Sequence, residues 1–196
     1  MPEVDLWWSC AWRLGLAYLL GSAPFAIVLS RAMSWADPRG YGSKNPGATN
    51  LWRGGHRLGA ALALLGDAAK GFLAVWLAGG EPRFGALPSL SLLFVVLGHA
   101  YPVFFSFRGG KGVATALGGL VAFHLGLAAF AAGVWATVFA FFRISGLAAL
   151  VAAAAVALLG TFILPGTAQK VAILALGSFV IYRHRENIER LRKRNI

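Results

Sequence analysis

Six apolar stretches divide this chain, residues 7–30, 58–79, 86–107, 113–142, 145–164 and 168–182, and each stops at an arginine or a run of glycine and proline. Most come close to or exceed the ~20 residues a helix needs to cross a hydrocarbon core of ~30 Å. Hydrophobic residues make up 58% of the 196 residues and charged ones 13%, with a mean hydropathy of +0.68. One soluble domain of this size cannot hide so much apolar surface, so lipid must cover much of it. The expected fold class is an all-α integral membrane protein, a single domain over residues 1–196.

The first stretch carries Trp7, Trp8, Trp12 and Tyr18 toward its start as an interfacial belt, and Arg31 closes it. Residues 31–57 are too polar and too rich in turn residues to lie in hydrocarbon, and they make the first large loop. Gly79-Gly80-Glu81-Pro82-Arg83 reads as a short turn. The stretch 113–142 decides the topology. A bend near His124-Leu125-Gly126 makes it a hairpin and keeps the loop at 108–111 on the same side as the C-terminal tail. Its arms are then about 14 residues, roughly 21 Å at 1.5 Å per residue, short of a full crossing. Charge bias favours the hairpin, because it puts Arg31, Arg39, Lys44, Arg53, Arg57, Arg108, Lys111, Arg143 and the tail arginines through Arg194 on the cytoplasmic side, with Arg13, Arg83 and Lys170 outside. Seven transmembrane helices are expected, some of them short, with the N-terminus outside and the C-terminus cytoplasmic.

A formal charge of +11 is also compatible with nucleic-acid binding, but the basic residues lie between apolar spans, so no nucleic acid is expected. Cys10 is the single cysteine and sits among apolar residues, which excludes an intrachain disulfide or a thiolate cluster. No carboxylate pair is spaced as metal ligands, and neither a metal nor another cofactor is expected. The acidic start, Met1-Pro2-Glu3-Val4-Asp5, reads as no cleavable signal.

Three polar segments meet on the cytoplasmic face in this topology. The first, Arg108-Gly109-Gly110-Lys111-Gly112-Val113-Ala114-Thr115, closes an apolar aromatic run that begins at Gly98-His99-Ala100-Tyr101-Pro102. Glycines round a lysine free the backbone to turn its N–H groups to one side, ahead of a helix whose N-terminus faces the same point; that is an anion-binding geometry. It is not a Walker A loop, which requires glycine at position 105 and Ser or Thr after the lysine, where this chain has Phe105 and Gly112. The second segment, Gly42-Ser43-Lys44-Asn45-Pro46-Gly47-Ala48-Thr49-Asn50, packs hydroxyls and amides ahead of Arg53. There Ser43 can hydrogen-bond a substrate and Arg53 can grip a phosphate bidentately; the competing reading is a set of turns that satisfy the loop backbone. In the third, Arg183-His184-Arg185-Glu186-Asn187-Ile188 is expected to continue the last helix, with His184 and Asn187 on one side. Rich in cations and poor in acids, these segments suit phosphorylated small molecules. Asp67 and Lys70, three apart within a span, read as a self-neutralising pair that orients the helix, and His56, His99 and His124 read as structural.

Taken in order, Gly21-Ser22-Ala23-Pro24-Phe25, Gly42 to Asn50, Gly66-Asp67-Ala68-Ala69-Lys70-Gly71, Gly98 to Thr115 and His184-Arg185-Glu186-Asn187-Ile188-Glu189-Arg190-Leu191 resemble the bacterial acyl-phosphate:glycerol-3-phosphate acyltransferase family. The resemblance implies a seven-span inner-membrane enzyme that moves a fatty acyl group from acyl phosphate to the 1-hydroxyl of glycerol 3-phosphate, giving lysophosphatidic acid and phosphate, the first step of phospholipid biosynthesis. Its site would face the cytoplasm. It places catalytic roles on Ser43, Arg53, Lys111, His184 and Asn187, and substrate contacts on Asn45, Thr49, Asn50, Arg108, Gly109, Gly110, Gly112, Thr115 and Ser145. The expected partners are the two substrates and membrane lipid, with no obligate protein partner. Two positions depart from the family pattern: Lys44 stands where glycine is usual, and the tail stops at Ile196 without a downstream Gly-x-Glu.

Two rivals fit less of the chain. An acyl-CoA-dependent acyltransferase of the His-x4-Asp kind fails because Glu189, not aspartate, follows His184 at that spacing. A transporter for phosphorylated metabolites draws on Asp67 and Lys70, but the polar clusters lie on one face only.

Overall fold

The computed structural model describes residues 3–79 and 85–193. Gly80 to Arg83, the Trp7 side chain and Arg194 lie outside the described residues. Ten α-helices follow in order: α1 (Glu3–Gly21), α2 (Phe25–Ala32), α3 (Ala48–Arg53), α4 (Arg57–Leu77), α5 (Ala86–Ala100), α6 (Val113–Phe123), α7 (Leu125–Phe142), α8 (Ser145–Ile163), α9 (Thr167–Arg183) and α10 (Arg185–Arg192). No strand occurs among the described residues. Helices α4, α7 and α8, and α5 with the turn after it, are long and apolar enough to cross a membrane, and the bent pair α1–α2 adds a fifth such unit.

Three expected boundaries shift. The stretch 7–30 is not one helix but α1 and α2, bent by 50°, because Pro24 has no N–H to give and disfavours the helical region for Ala23 before it. The stretch 86–107 stops being α-helical at Ala100, ahead of Pro102, and ends in a 3₁₀ turn over Val103–Phe105. The third shift is at His184, where α9 stops and α10 starts afresh instead of running on. The hairpin of 113–142 does form, but its arms are 11 and 18 residues and meet at His124. There the extended backbone ends α6, and the ring Nδ1 accepts the Leu127 N–H at 3.1 Å to start α7.

Small residues let the helices touch. A Cβ added at Gly71 would lie 2.0 Å from the Thr115 carbonyl, and one at Gly118 1.8 Å from the Ala68 carbonyl, so α4 and α6 pack backbone to backbone. Gly21 and Gly98 join α1 to α5 in the same way. Such contact is how helices associate where lipid removes the hydrophobic drive. The core between them holds Val75, Leu92, Val95, Phe123, Leu127 and Ile173, all fully buried. A smaller apolar cluster, Ala26, Leu51, Ala60 and Ala63, seats the first loop's short helix α3.

Candidate active site

The break between α1 and α2 leaves carbonyls at one helix end and N–H groups at the next, a costly exposure in an apolar interior. A buried ion pair on α4 answers both. Lys70 Nζ donates to the carbonyls of Gly21 (2.9 Å) and Ala23 (2.8 Å), while Asp67 Oδ1 accepts the Phe25 N–H at 3.2 Å and lies 2.8 Å from Lys70 Nζ. The cation sits on the carbonyl end and the anion on the N–H end, as the helix dipoles favour. The pair neutralises itself, as expected, and also caps a broken helix.

Next in the chain, α5 ends at Tyr101–Pro102, and the loop that follows folds back on it. The Gly109 N–H donates to the Ala100 carbonyl (3.2 Å) and the Gly110 N–H to the His99 carbonyl (3.1 Å). From the other side Arg183 Nη2 reaches the carbonyls of Gly110 (3.0 Å) and Gly109 (3.4 Å), with its guanidinium 4.9 Å from the centre of the Tyr101 ring. Arg39, paired with Asp37, donates to the carbonyls of Phe105 and Arg108 and ties the first loop to this one. At Gly112 the backbone turns left-handed (φ +78), and α6 starts one residue later. The N–H groups of Lys111 through Thr115 have no partner among the described residues.

Lys111 through Ala114 line a cavity of about 500 Å³, within the range of small-molecule sites. Ser43, Asn45, Thr49, Asn50, Arg53, Lys111, Gly112, Ser145, His184 and Asn187 all line it, so the structure brings ten of the fourteen singled-out residues together from separate segments. The other four stand elsewhere. Gly109 and Gly110 spend their N–H groups on α5, and Arg108 is exposed, so the anion-facing amides begin at Lys111 and not before. Thr115 is fully buried, with its hydroxyl 3.3 Å from His99 Nδ1. Asn50, although at the cavity wall, has its side chain occupied: it donates to the carbonyls of Pro38 (2.8 Å) and Tyr41 (3.2 Å) and accepts the Ser43 N–H (3.0 Å). It shapes the loop that presents Ser43 and is not free to hold a ligand.

His184 is buried, and its Nδ1 lies 2.8 Å from the Val180 carbonyl. A carbonyl only accepts, so Nδ1 carries the proton and Nε2 keeps its lone pair for the cavity. Burial pushes its pKa down to about 4, with the Lys111 and Arg183 charges adding to the effect against the Val180 bond; the ring is neutral at physiological pH. Lys111 Nζ donates to Asn187 Oδ1. Burial, helped by Arg190, Arg183 and Arg185 and opposed by Glu186, lowers the Lys111 pKa to about 8. Asn187 lies against Gly146, where a Cβ would come 2.1 Å from Nδ2.

Sequence reasoning passed over several contributors. Arg143 and Arg190 line the cavity, and so does Gly146, which follows the singled-out Ser145 at the N-terminus of α8, a second helix start with unpaired N–H groups. Arg143 looked like a topological marker and Arg190 like part of a lipid-facing tail; a helix start next to an arginine was the available signal. Opposite this cationic end the wall is apolar, with Leu117, Leu120, Trp135, Ala152, Val156 and Leu176. No cluster of three or more His, Cys, Asp or Glu side chains able to hold a metal occurs among the described residues.

Fold and cavity together define an all-helical membrane protein whose cavity joins a cationic end to an apolar slot. The model of the glycerol-3-phosphate acyltransferase family matches residues 11–194. A glycerol-3-phosphate acyltransferase from Laribacter hongkongensis is 53% identical over 179 residues, covering 89% of each chain, and one from Burkholderia thailandensis is 51% identical over 182 residues, 89% of this chain and 88% of the relative. The crystal structure of PlsY (YgiH), an integral membrane glycerol 3-phosphate acyltransferase, in its glycerol 3-phosphate form superposes with a TM-score of 0.87 at 38% identity, over 94% of this chain and 92% of that one. Its lysophosphatidic acid form gives 0.84 at 37%, with the same coverage. This chain belongs to the glycerol-3-phosphate acyltransferase family. It is an integral membrane acyltransferase, and the transporter reading falls away.

Proposed function

We propose that the chain transfers the acyl group of an acyl phosphate to the 1-hydroxyl of glycerol 3-phosphate, as the first committed acylation of phospholipid synthesis, in a bacterial inner membrane. The observation that carries this reading is one cavity with a cationic, amide-lined end and an apolar end. Such a shape suits a phosphorylated head on a fatty chain. Acyl phosphate is a mixed anhydride, already activated, so no covalent nucleophile on the protein is required; holding two anions in line is the main task.

Lys111 and the amides at the start of α6 take the acyl phosphate's phosphoryl group. Arg53, Asn187 and Ser43 place glycerol 3-phosphate, while Asn45, Thr49 and Ser145 line its approach, and the acyl chain lies along Leu117, Val156 and Leu176. The glycerol oxygen attacks the carbonyl carbon, the bond from that carbon to the phosphate oxygen breaks, and inorganic phosphate leaves with its charge held by Lys111. With a pKa of about 4, His184 is too weak a base to keep the hydroxyl proton. Its Nε2 orients the hydroxyl by accepting a hydrogen bond, and the proton passes to a substrate phosphate oxygen.

Seven spans follow if α1–α2 counts as one and the short α6 and the 17-residue α9 each cross. The N-terminus then lies outside and the cavity opens to the cytoplasm, with no obligate protein partner. Supporting this, the loop before α4, the glycine loop, the α7–α8 turn and α10 all reach the same cavity. Purified Lys111→Ala and His184→Ala enzymes are expected to release phosphate from acyl phosphate and glycerol 3-phosphate about a hundredfold more slowly. Near-normal turnover in both overturns the assignment.

A further inference from the structure

Asp67, Lys70, His99 and Thr115 form a polar cluster deep in the helix bundle, each 5% exposed or less. Ionisable groups at such depth are expensive and are retained for a task. Capping the broken helix accounts for Asp67 and for two of the Lys70 hydrogen bonds. It does not account for His99. The Nδ1 of His99 lies 3.0 Å from Lys70 Nζ, 3.3 Å from Thr115 Oγ1 and 3.4 Å from Asp67 Oδ1, so α4, α5 and α6 all converge on one ring nitrogen.

The far edge of that ring meets the glycine loop. A Cβ on Gly110 would lie 2.3 Å from His99 Nε2, and the Gly110 N–H is bonded to the carbonyl of His99 itself. Gly110 therefore rests on the imidazole, one residue before Lys111. Arg183 Nη2 donates to the Gly109 and Gly110 carbonyls of the same segment. The peptide units just ahead of the free amides therefore meet both the His99 ring and the Arg183 guanidinium.

We propose that His99 is a positioning residue: with Lys70, Asp67 and Thr115 packed round its Nδ1, its ring sets where Gly110 lies, and so where the Lys111 ammonium and the following amides point into the cavity. This rests on the reading that those groups hold phosphate. A displacement of about 1 Å at a binding group costs up to about a hundredfold, and a ring removed from beneath a glycine frees motion on that scale.

The test uses inorganic phosphate, the leaving group, as the probe in the intact purified enzyme. Its inhibition constant, the KM for each substrate and the melting temperature are measured for wild type, His99→Ala, His99→Gln, Thr115→Val and Lys111→Ala. In His99→Ala the phosphate inhibition constant and the KM for acyl phosphate are expected to rise about tenfold or more, with partial recovery in His99→Gln, whose amide can still meet Lys70. The KM for glycerol 3-phosphate should move less. A lower melting temperature with an unchanged phosphate constant makes the residue merely structural and overturns the proposal. If His99→Ala does not survive purification, unchanged phosphate inhibition in both His99→Gln and Thr115→Val overturns it equally. If phosphate inhibition is unaffected in Lys111→Ala too, the failure lies in the reading of the loop itself.

Discussion

At the scale of single residues, charge state and backbone angle carry the sharpest consequences. In its proposed role Lys111 holds an anion only while protonated, and its pKa of about 8 means that the cation is present below that pH and lost above it. Measured kcat/KM should therefore fall as pH rises through about 8, while kcat, which reports the anion-bound enzyme, should hold to higher pH because a bound phosphate stabilises the ammonium. Lys111→Arg should remove the alkaline limb from kcat/KM even if overall turnover drops. Lys44, at a position where the family resemblance leads one to expect glycine, takes the left-handed conformation at φ +58. Relief of that strain, ~1 kcal/mol, nearly cancels the extra chain entropy glycine gives the unfolded state, ~0.4–1 kcal/mol. Lys44→Gly should thus leave thermal stability almost unchanged. Lys44→Val, with its branched side chain in the same turn, should destabilise by about 1 kcal/mol or more. The residue types needed for the chemistry were legible in sequence. What could not be read was which amides stay free: Gly109 and Gly110 look as available as Gly112 until α5 is seen to take their N–H groups.

At the scale of elements, helix starts line the cavity and glycine contacts hold them in place. Helix α6 carries the anion-facing amides, and its approach to α4 rests on Gly71 and Gly118. Gly118→Val must push the two backbones apart, which is expected to cost about 1–3 kcal/mol. It should lower both the melting temperature and phosphate-releasing activity, although Gly118 lies outside the cavity wall. A full melting temperature with full activity would contradict the packing described. The hairpin at 113–142 was readable because no polar break other than His124-Leu125-Gly126 interrupts the stretch. Its unequal division was not, since a histidine becomes a helix cap only when its ring turns back to the Leu127 N–H. Pro24 and Pro102, by contrast, break the stretches 7–30 and 86–107 that read as continuous in sequence, and the ion pair that makes the first break tolerable joins residues more than forty apart in sequence.

At the scale of the whole molecule, the proposed topology is open to direct labelling. In a Cys10→Ser background, Lys44→Cys should react with a membrane-impermeant thiol reagent only from the cytoplasmic face, and Lys170→Cys only from the opposite one. Reaction of both from one side would overturn the seven-span arrangement. Sequence alone determined that the chain is helical and lipid-embedded, since hydropathy and the placement of arginines are properties of composition along a line. It also supplied the residues able to hold anions. Tertiary structure alone decided which of them share a cavity, which spend their hydrogen bonds on the scaffold, and how an ion pair, a histidine and an arginine from three helices come together behind one glycine loop. Those outcomes depend on directions and distances between segments remote in sequence, which become definite only when the helices pack.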